Sequence, residues 1–210
     1  LHTLAMALHV DGAWPATAAL LLAVAPAMEL HALRQEWFPY LEGALRCAVA
    51  RADALCEAQL RLWLGRSCHL VARLEEALTH LDCALAIARR LGERTVEVAV
   101  LERQTMIVVE RLDIPQALAL VDETLNLVGR DSPLAAQCHH ILGFIAVHQK
   151  RSAEAIAHYT KALALRQMAG DGQRIILAER DLAFAYENMG DYPAARVLHR
   201  KVLGAYQQRD

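Results

Sequence analysis

The chain has 210 residues, of which 55% are hydrophobic, and its 22 basic and 24 acidic residues give a formal net charge of −2. This length and apolar content are sufficient for one large domain or for a repeat array with a substantial core. The near balance of charge gives no electrostatic reason to expect direct binding to nucleic acid or to an anionic membrane surface.

The most apolar stretch, residues 15–28, is shorter than the roughly 20 apolar residues that a membrane-spanning helix needs. No basic segment precedes it, so it also lacks the pattern of a secretory signal. We therefore expect a cytoplasmic protein that has no membrane segment. Because the first residue is Leu1 and not methionine, we expect the chain to be a segment of a longer protein.

Cysteine and histidine usage predicts neither a disulfide framework nor a metal site or cofactor. The five cysteines are an odd number without any CxxC spacing, so we expect them to be reduced and buried. His139 and His140 are neighbours on a predicted helix, where their side chains point about 100° apart and cannot chelate one metal together.

Apolar residues recur with helical spacing along the chain, and no strand pattern is present. Glycine and proline stand where these helices should end and begin, as in Gly190 followed by Pro193. A short helix is predicted near residues 1–9. Ten longer helices are predicted near residues 16–33, 36–52, 54–70, 74–91, 94–111, 114–128, 133–149, 152–169, 173–189 and 192–207.

A repeat of about 40 residues is visible in the second helix of each pair. Leucines stand 40, 40, 38 and 40 residues apart at Leu45, Leu85, Leu125, Leu163 and Leu203. Upstream of the last four come alanines at 77, 117, 155 and 195, each followed four residues later by a bulkier residue at 81, 121, 159 and 199. The repeat units are predicted at residues 16–53 (degenerate), 54–93, 94–131, 132–171 and 172–210, with residues 1–15 ending a truncated repeat.

Small residues in the first helices should let paired helices approach closely. Gly65, Gly143 and Ala183 occupy this position in three repeats, and the bulky residue of the second helix is expected to fill the space beside them. The repeat at 94–131 has Gln104 and Thr105 there instead, so we expect its first helix to pack less well.

These residues resemble the tetratricopeptide repeat, whose pattern is W-x2-L-G-x2-Y followed by A-x3-F-x2-A. Matching segments are LWLGRSCHLVARLEEALTHLDCAL (62–85), HHILGFIAVHQKRSAEAIAHYTKAL (139–163) and LAFAYENMGDYPAARVLHRKVL (182–203). The resemblance implies an all-α fold, a right-handed superhelical solenoid of about ten helices in antiparallel pairs. Another helical solenoid, such as one of HEAT repeats, is the alternative fold.

The 40-residue period is longer than the usual 34 residues. It is similar to the long variant in the C-terminal sensor regions of bacterial NB-ARC or STAND signal-transduction ATPases and related transcriptional activators. This resemblance implies a ligand-sensing or interaction region of a larger regulatory protein. The chain itself contains no P-loop motif, so an ATPase module would lie outside it.

In the resembled family, the first helix of each pair lines a concave groove. The resemblance therefore implies a binding surface that is a mixture of aromatic, sulfur, charged and amide side chains, which suits a peptide or protein segment or a small effector. Its residues are Arg66, His69, Glu102, Met106, Gln137, His140, Phe144, His148, Arg180, Phe184, Glu187 and Asn188.

The leading functional prediction is a protein- or peptide-binding scaffold without catalytic activity. The alternative is a structural scaffold that self-associates through exposed apolar residues such as Leu20, Leu21 and Leu22. An enzyme is not supported, because the adjacent Cys68 and His69 diverge on a helix and have no recognisable third partner.

Overall fold

The computed structural model describes residues 10, 12–30, 34–170 and 172–207. Within these residues the regular structure is entirely helical, and a 3-10 turn at Pro133–Ala135 precedes the seventh α-helix. The α-helices are α1 (Trp14–Leu30), α2 (Arg34–Ala50), α3 (Ala54–Leu70), α4 (Leu74–Leu91), α5 (Arg94–Glu110), α6 (Ile114–Val128), α7 (Ala136–His148), α8 (Ser152–Ala169), α9 (Gly172–Met189) and α10 (Tyr192–Gln207).

The ten longer helices predicted from the sequence are all present, and their ends lie within three residues of the predicted ones. The predicted all-α class is therefore confirmed. The short helix predicted near 1–9 lies outside the described residues.

One tight turn ends most of the helices. The backbone φ is positive at two series of residues spaced 20 apart, namely Ala52, Ala72, Gly92 and Leu112, and then Lys150, Gly170 and Gly190. In six of these turns the next residue donates its backbone N–H to the carbonyl five positions earlier, as Arg73 does to Cys68 at 2.9 Å and Asp191 to Tyr186 at 2.9 Å. These bonds satisfy carbonyls that a helix end leaves without a partner.

Aspartates start three of the helices that follow these turns. The carboxylates of Asp53, Asp113 and Asp191 accept hydrogen bonds of 3.1–3.2 Å from backbone N–H groups three residues later. Each carboxylate satisfies one of the free N–H groups in the first turn. Pro115 and Pro193 lie in first turns, where the missing N–H costs no helical hydrogen bond.

The chain divides into two compact units, residues 1–107 and 108–210, with the boundary inside α5. The core of the first unit contains large side chains without solvent exposure, including Leu21, Leu41, Leu60 and Leu81. In the second unit the cores contain residues such as Val121, Ile145, Ala155 and Tyr159.

The close helix approach predicted at Gly65 and Gly143 is confirmed. A Cβ atom at Gly65 would lie 2.7 Å from Leu81 Cγ, and one at Gly143 would lie 2.7 Å from Tyr159 Cδ1. Real Cβ atoms do not approach other carbons so closely, so the bulky residue of the second helix occupies the space that glycine leaves.

The looser packing expected at Gln104 and Thr105 is not found. Both residues are buried, with 6% and 1% exposure. Thr105 Oγ1 donates to the Leu101 carbonyl at 2.6 Å, and Gln104 Nε2 donates to Asp82 Oδ1 at 2.7 Å. These hydrogen bonds allow polar side chains to be buried at a position where the other repeats use small residues.

Candidate functional site

A cavity of about 460 Å³ lies in the second unit, between α7 and α9. Its volume falls in the range of small-molecule and side-chain binding pockets. Six of the eight binding residues predicted in this unit line it: His140, Phe144, His148, Arg180, Phe184 and Glu187. Four further residues complete the lining: Val147, Tyr159, Asp181 and His199.

Aromatic rings form much of the cavity wall. On α7 the rings of Phe144 and His148 are in contact, with centroids 4.1 Å apart and planes inclined by 42°. His148 Nδ1 lies 3.0 Å from the Phe144 carbonyl, to which it donates. On α9 Phe184 keeps 51% of its surface exposed. An aromatic ring this exposed on a cavity wall leaves a large apolar area for a ligand to cover.

The lining also includes polar groups that are largely buried. Tyr159 is 3% exposed, and its ring centroid lies 5.7 Å from that of His140. Burial lowers the pKa of His140 to about 4, although Asp181 Oδ2 lies 3.4 Å from His140 Nδ1 and favours the charged form. His140 is therefore a neutral imidazole at neutral pH.

Charged side chains of α9 form the rim. Arg180 donates from Nε and Nη2 to Asp181 Oδ1 at 3.1 and 2.9 Å, so these two charges offset each other. Glu187 accepts a hydrogen bond of 3.0 Å from Nε2 of His199 on α10. The lining thus contains one arginine and two carboxylates.

Two predicted residues of this unit do not line the cavity. The Gln137 side-chain oxygen accepts a hydrogen bond of 3.1 Å from Arg166 Nη2. Asn188 Nδ2 donates to the Phe184 carbonyl at 3.0 Å, one turn back on its own helix. Both amides contribute to local structure in the second unit.

The four residues predicted in the first unit are not brought together around a cavity. Arg66 stacks on Trp63 with its guanidinium carbon 4.5 Å from the ring centroid. His69 is 8% exposed, and its Nδ1 lies 3.2 Å from Arg103 Nη1. Glu102 and Met106 are half-buried. A smaller cavity of about 250 Å³ is lined instead by Leu22, Gln59, Leu62, Trp63, Thr95, Val96 and Ala99.

Sequence reasoning missed three polar residues of the cavity. Tyr159 and His199 lie on second helices and were expected only to fill space between helices, yet both reach the cavity. His199 keeps 45% of its side chain exposed, which a packing role does not require. Asp181 follows Arg180 directly in the sequence. This pair of adjacent opposite charges was the signal from which Asp181 could have been predicted as a cavity residue.

Within the described residues, the side chains considered for catalysis or metal binding are not arranged for either role. Burial raises the pKa of Cys68, which opposes formation of the reactive thiolate. No group of three His, Cys, Asp or Glu side chains in the described ranges is placed to hold a metal ion. His139 instead faces His158, with 3.2 Å between their Nδ1 atoms, and donates from Nε2 to the Arg130 carbonyl.

The described helices include none with the combined length and apolar character of a membrane span. Four of the five cysteines are buried, and Cys83 is half-buried.

Comparison with known proteins identifies the repeat type. The tetratricopeptide repeat family model matches residues 134–208. A comparison with curated protein sequences gave no match.

Several solved structures have the same fold at low sequence identity. BtubC (BKLC) from P. vanneervenii aligns with a TM-score of 0.63 and 16% identity, covering 92% of this chain and 90% of that one. Nearly identical TPR-like repeats from Podosopora anserina align with a TM-score of 0.63 and 15% identity, covering 91% and 96%. MamA from Desulfovibrio magneticus RS-1 aligns with a TM-score of 0.58 and 16% identity, covering 92% and 97%. The chain therefore has the helix-pair solenoid fold of tetratricopeptide-repeat proteins, and residues 134–208 carry the sequence pattern of that family.

Proposed function

We propose that the chain is a protein-interaction scaffold and that the cavity of the second unit, bounded by α7 and α9, binds a peptide segment of the partner. The observation that carries this proposal is the exposed ring of Phe184 on the wall of a cavity of about 460 Å³. Repeat solenoids offer extended surfaces for recognition and have no chemistry of their own.

The composition of the cavity supports a peptide ligand. Aromatic residues and arginine are the side chains that most often dominate binding energy at protein interfaces. Phe144, Phe184 and Arg180 are of these types. The carboxylates and histidines around them provide hydrogen-bonding groups at the edge of an apolar centre, which is the usual organisation of an interface.

The test is selection of a random peptide library on the immobilised chain, followed by binding of the enriched peptides to two variants. Phe184→Ala should reduce binding at least about tenfold, because a buried aromatic anchor contributes 2 kcal/mol or more. Met168→Ala is the matched control, since Met168 is a 71% exposed residue of α8 outside the cavity. Circular dichroism would verify that both variants keep their helix content. Equal binding by Phe184→Ala and the unmodified chain would contradict the proposal.

We also propose that the chain is the sensing or interaction region of a larger bacterial regulatory protein. The support is the repeat period of about 40 residues, which resembles the arrays of signal-transduction ATPases. The complete reading frame tests this proposal. A P-loop module or a DNA-binding module joined to the repeats would support it, and a reading frame without either module would contradict it.

Self-association is a second candidate that one observation favours. The last described helix, α10, exposes four large apolar side chains to at least 47% of their surface: Tyr192, Val197, Leu203 and Tyr206. At the other end of the chain Leu20 is 51% exposed, whereas Leu21 is fully buried. Light scattering over a concentration series tests this candidate, and a monomer at every concentration would reject it. If the chain does associate through α10, Leu203→Lys should shift it toward the monomer.

A further inference from the structure

The geometry points to a ligand side chain of a specific class for this cavity: the cationic, aliphatic side chain of a lysine or arginine in the partner peptide. This inference rests on the proposed peptide-binding function. The side chain's alkyl portion would lie against the Phe184 ring and the adjacent Phe144 and His148 rings. Its charged end would reach Glu187.

The charge of the lining favours a cation. Asp181 and Arg180 offset each other, since both Arg180 donors lie within 3.1 Å of one Asp181 oxygen. The remaining carboxylate is that of Glu187, which is 43% exposed and has a histidine as its partner in the cavity. The arginine and the two carboxylates of the lining therefore sum to one negative charge, which a ligand cation can offset.

The aromatic rings of the cavity differ from those of the first unit. Among the described residues of the first unit, arginines lie over aromatic rings, with Arg51 on Trp14 at 5.3 Å, Arg66 on Trp63 at 4.5 Å and Arg73 on Phe38 at 5.2 Å. In the second unit no cation of the described residues stacks on Phe144 or Phe184. Arg180 is one turn before Phe184 on the same helix, but its guanidinium is turned to Asp181. The ring of Phe184 is thus open to a cation supplied by the ligand.

An acidic ligand side chain fits the cavity less well than a cationic one. It would compete with Asp181 for the guanidinium of Arg180, and the Asp181 side chain is only 16% exposed, with its Oδ2 buried without a hydrogen-bond donor. Releasing Arg180 would leave this buried carboxylate without its arginine, which is costly. A cation requires no such rearrangement, because Glu187 already lies at the rim.

The experiment compares three capped heptapeptides, Gly-Ser-Ala-X-Ala-Ser-Gly, in which X is lysine, norleucine or glutamate. Each peptide is titrated into the isotope-labelled chain and followed by amide chemical shifts. We expect the lysine peptide to shift the amides of α7 and α9 and to bind at least about fivefold more tightly than the other two. Glu187→Gln should reduce lysine-peptide binding to the level of norleucine. Glu154→Gln, which removes an exposed carboxylate of the same unit outside the cavity, should leave it unchanged.

The inference is overturned if norleucine or glutamate binds as tightly as lysine, or if Glu187→Gln has no effect. It is also overturned if the lysine peptide causes no shifts at concentrations up to about 5 mM, the range of a single weak anchor. Binding of norleucine at the cavity as tightly as lysine would overturn the preference for a cation and leave the peptide-binding function standing. If the peptide-binding function itself is wrong, the library peptides will bind Phe184→Ala as tightly as they bind the unmodified chain.

Discussion

Gly143 on α7 and Tyr159 on α8 are packed so closely that a methyl group at Gly143 would lie 2.7 Å from two carbon atoms of the tyrosine ring. The same ring lines the cavity and lies beside His140. The absence of a side chain at Gly143 therefore determines both the spacing of this helix pair and the position of this part of the cavity lining.

We predict that Gly143→Ala destabilises the protein by about 1–3 kcal/mol, the typical cost of adding atoms to a well-packed core. Urea unfolding followed by circular dichroism measures the change. The matched control is Gly204→Ala, where the added methyl meets no atom within 4 Å inside α10. That substitution should stabilise the helix by up to about 1 kcal/mol. If both substitutions stabilised the protein, the close packing at Tyr159 would be refuted.

We predict that Leu112→Gly stabilises the protein by about 0.5–1 kcal/mol. Leu112 has a φ of 59°, in a region that costs a non-glycine residue about 1–2 kcal/mol, and its side chain is 64% exposed, so little packing is lost. The reverse change at the equivalent turn, Gly92→Ala, should destabilise by a similar amount, because Gly92 has a φ of 72°. Thermal unfolding of the two variants should therefore move the midpoint in opposite directions.

The helices and the turns that contain glycine could be predicted from the sequence, but the positive φ of the turns without glycine could not. Glycine at 190 was a readable signal, because glycine accepts a positive φ without cost. Ala52, Ala72 and Lys150 adopt the same conformation and carry no such signal. At these positions the packing of the two flanking helices imposes the turn, and residue preference is overridden.

Helix starts were also shifted where packing outweighs local preference. The start of α2 was predicted at residue 36, three residues before Pro39. The helix begins at Arg34, so that Pro39 lies inside it. Trp37 and Phe38, which are 3% and 8% exposed, are buried in the core from this early part of the helix. The energy of burying two aromatic side chains exceeds the loss of one helical hydrogen bond.

For the candidate site, the sequence predicted the contributions of α7 and α9 but not those of the second helices. The residues of α7 and α9 were predicted from a resemblance, which implies that the first helix of each pair lines a groove. Tyr159 and His199 reach the cavity only because neighbouring helices lie close together, and this depends on side-chain sizes in three dimensions. The sequence alone does not give the distance between neighbouring helices.

Buried histidines make the stability of the protein depend on pH. Burial lowers the pKa of His80, His139 and His158, and lowers that of His140 to about 4. The unfolded chain, with histidine pKa values near 6.5, therefore binds more protons than the folded chain below neutral pH. Stability is fully present above about pH 6.5 and falls as the pH decreases toward the folded pKa values.

We predict that His140 alone removes about 2 kcal/mol of unfolding free energy between pH 7 and pH 5, since each unit below the unfolded pKa costs about 1.4 kcal/mol. His140→Gln should make the pH dependence measurably shallower in urea unfolding experiments. Met168→Ala changes no titratable group and should keep the slope of the unmodified chain. A slope that is the same with and without His140 would show that folding does not lower the pKa of this ring.

The side-chain amide of Gln104 is buried, and only one of its two polar atoms has a hydrogen-bond partner. Gln104 Nε2 donates to Asp82, whereas Gln104 Oε1 is buried and has no hydrogen-bond partner. Asp82→Ala should destabilise the protein by about 1–3 kcal/mol, because the buried amide then loses its acceptor. Gln104→Leu in the Asp82→Ala background should recover most of this loss, since an apolar side chain of similar size needs no partner.

The measurement is a double-mutant cycle of unfolding free energies. A strong coupling between the two substitutions is expected from the 2.7 Å hydrogen bond that joins α4 and α5. Additive effects would mean that the Gln104 amide finds another acceptor when Asp82 is absent. In that case its burial would be tolerated without a specific partner, and the repeat would not require a polar residue at position 82.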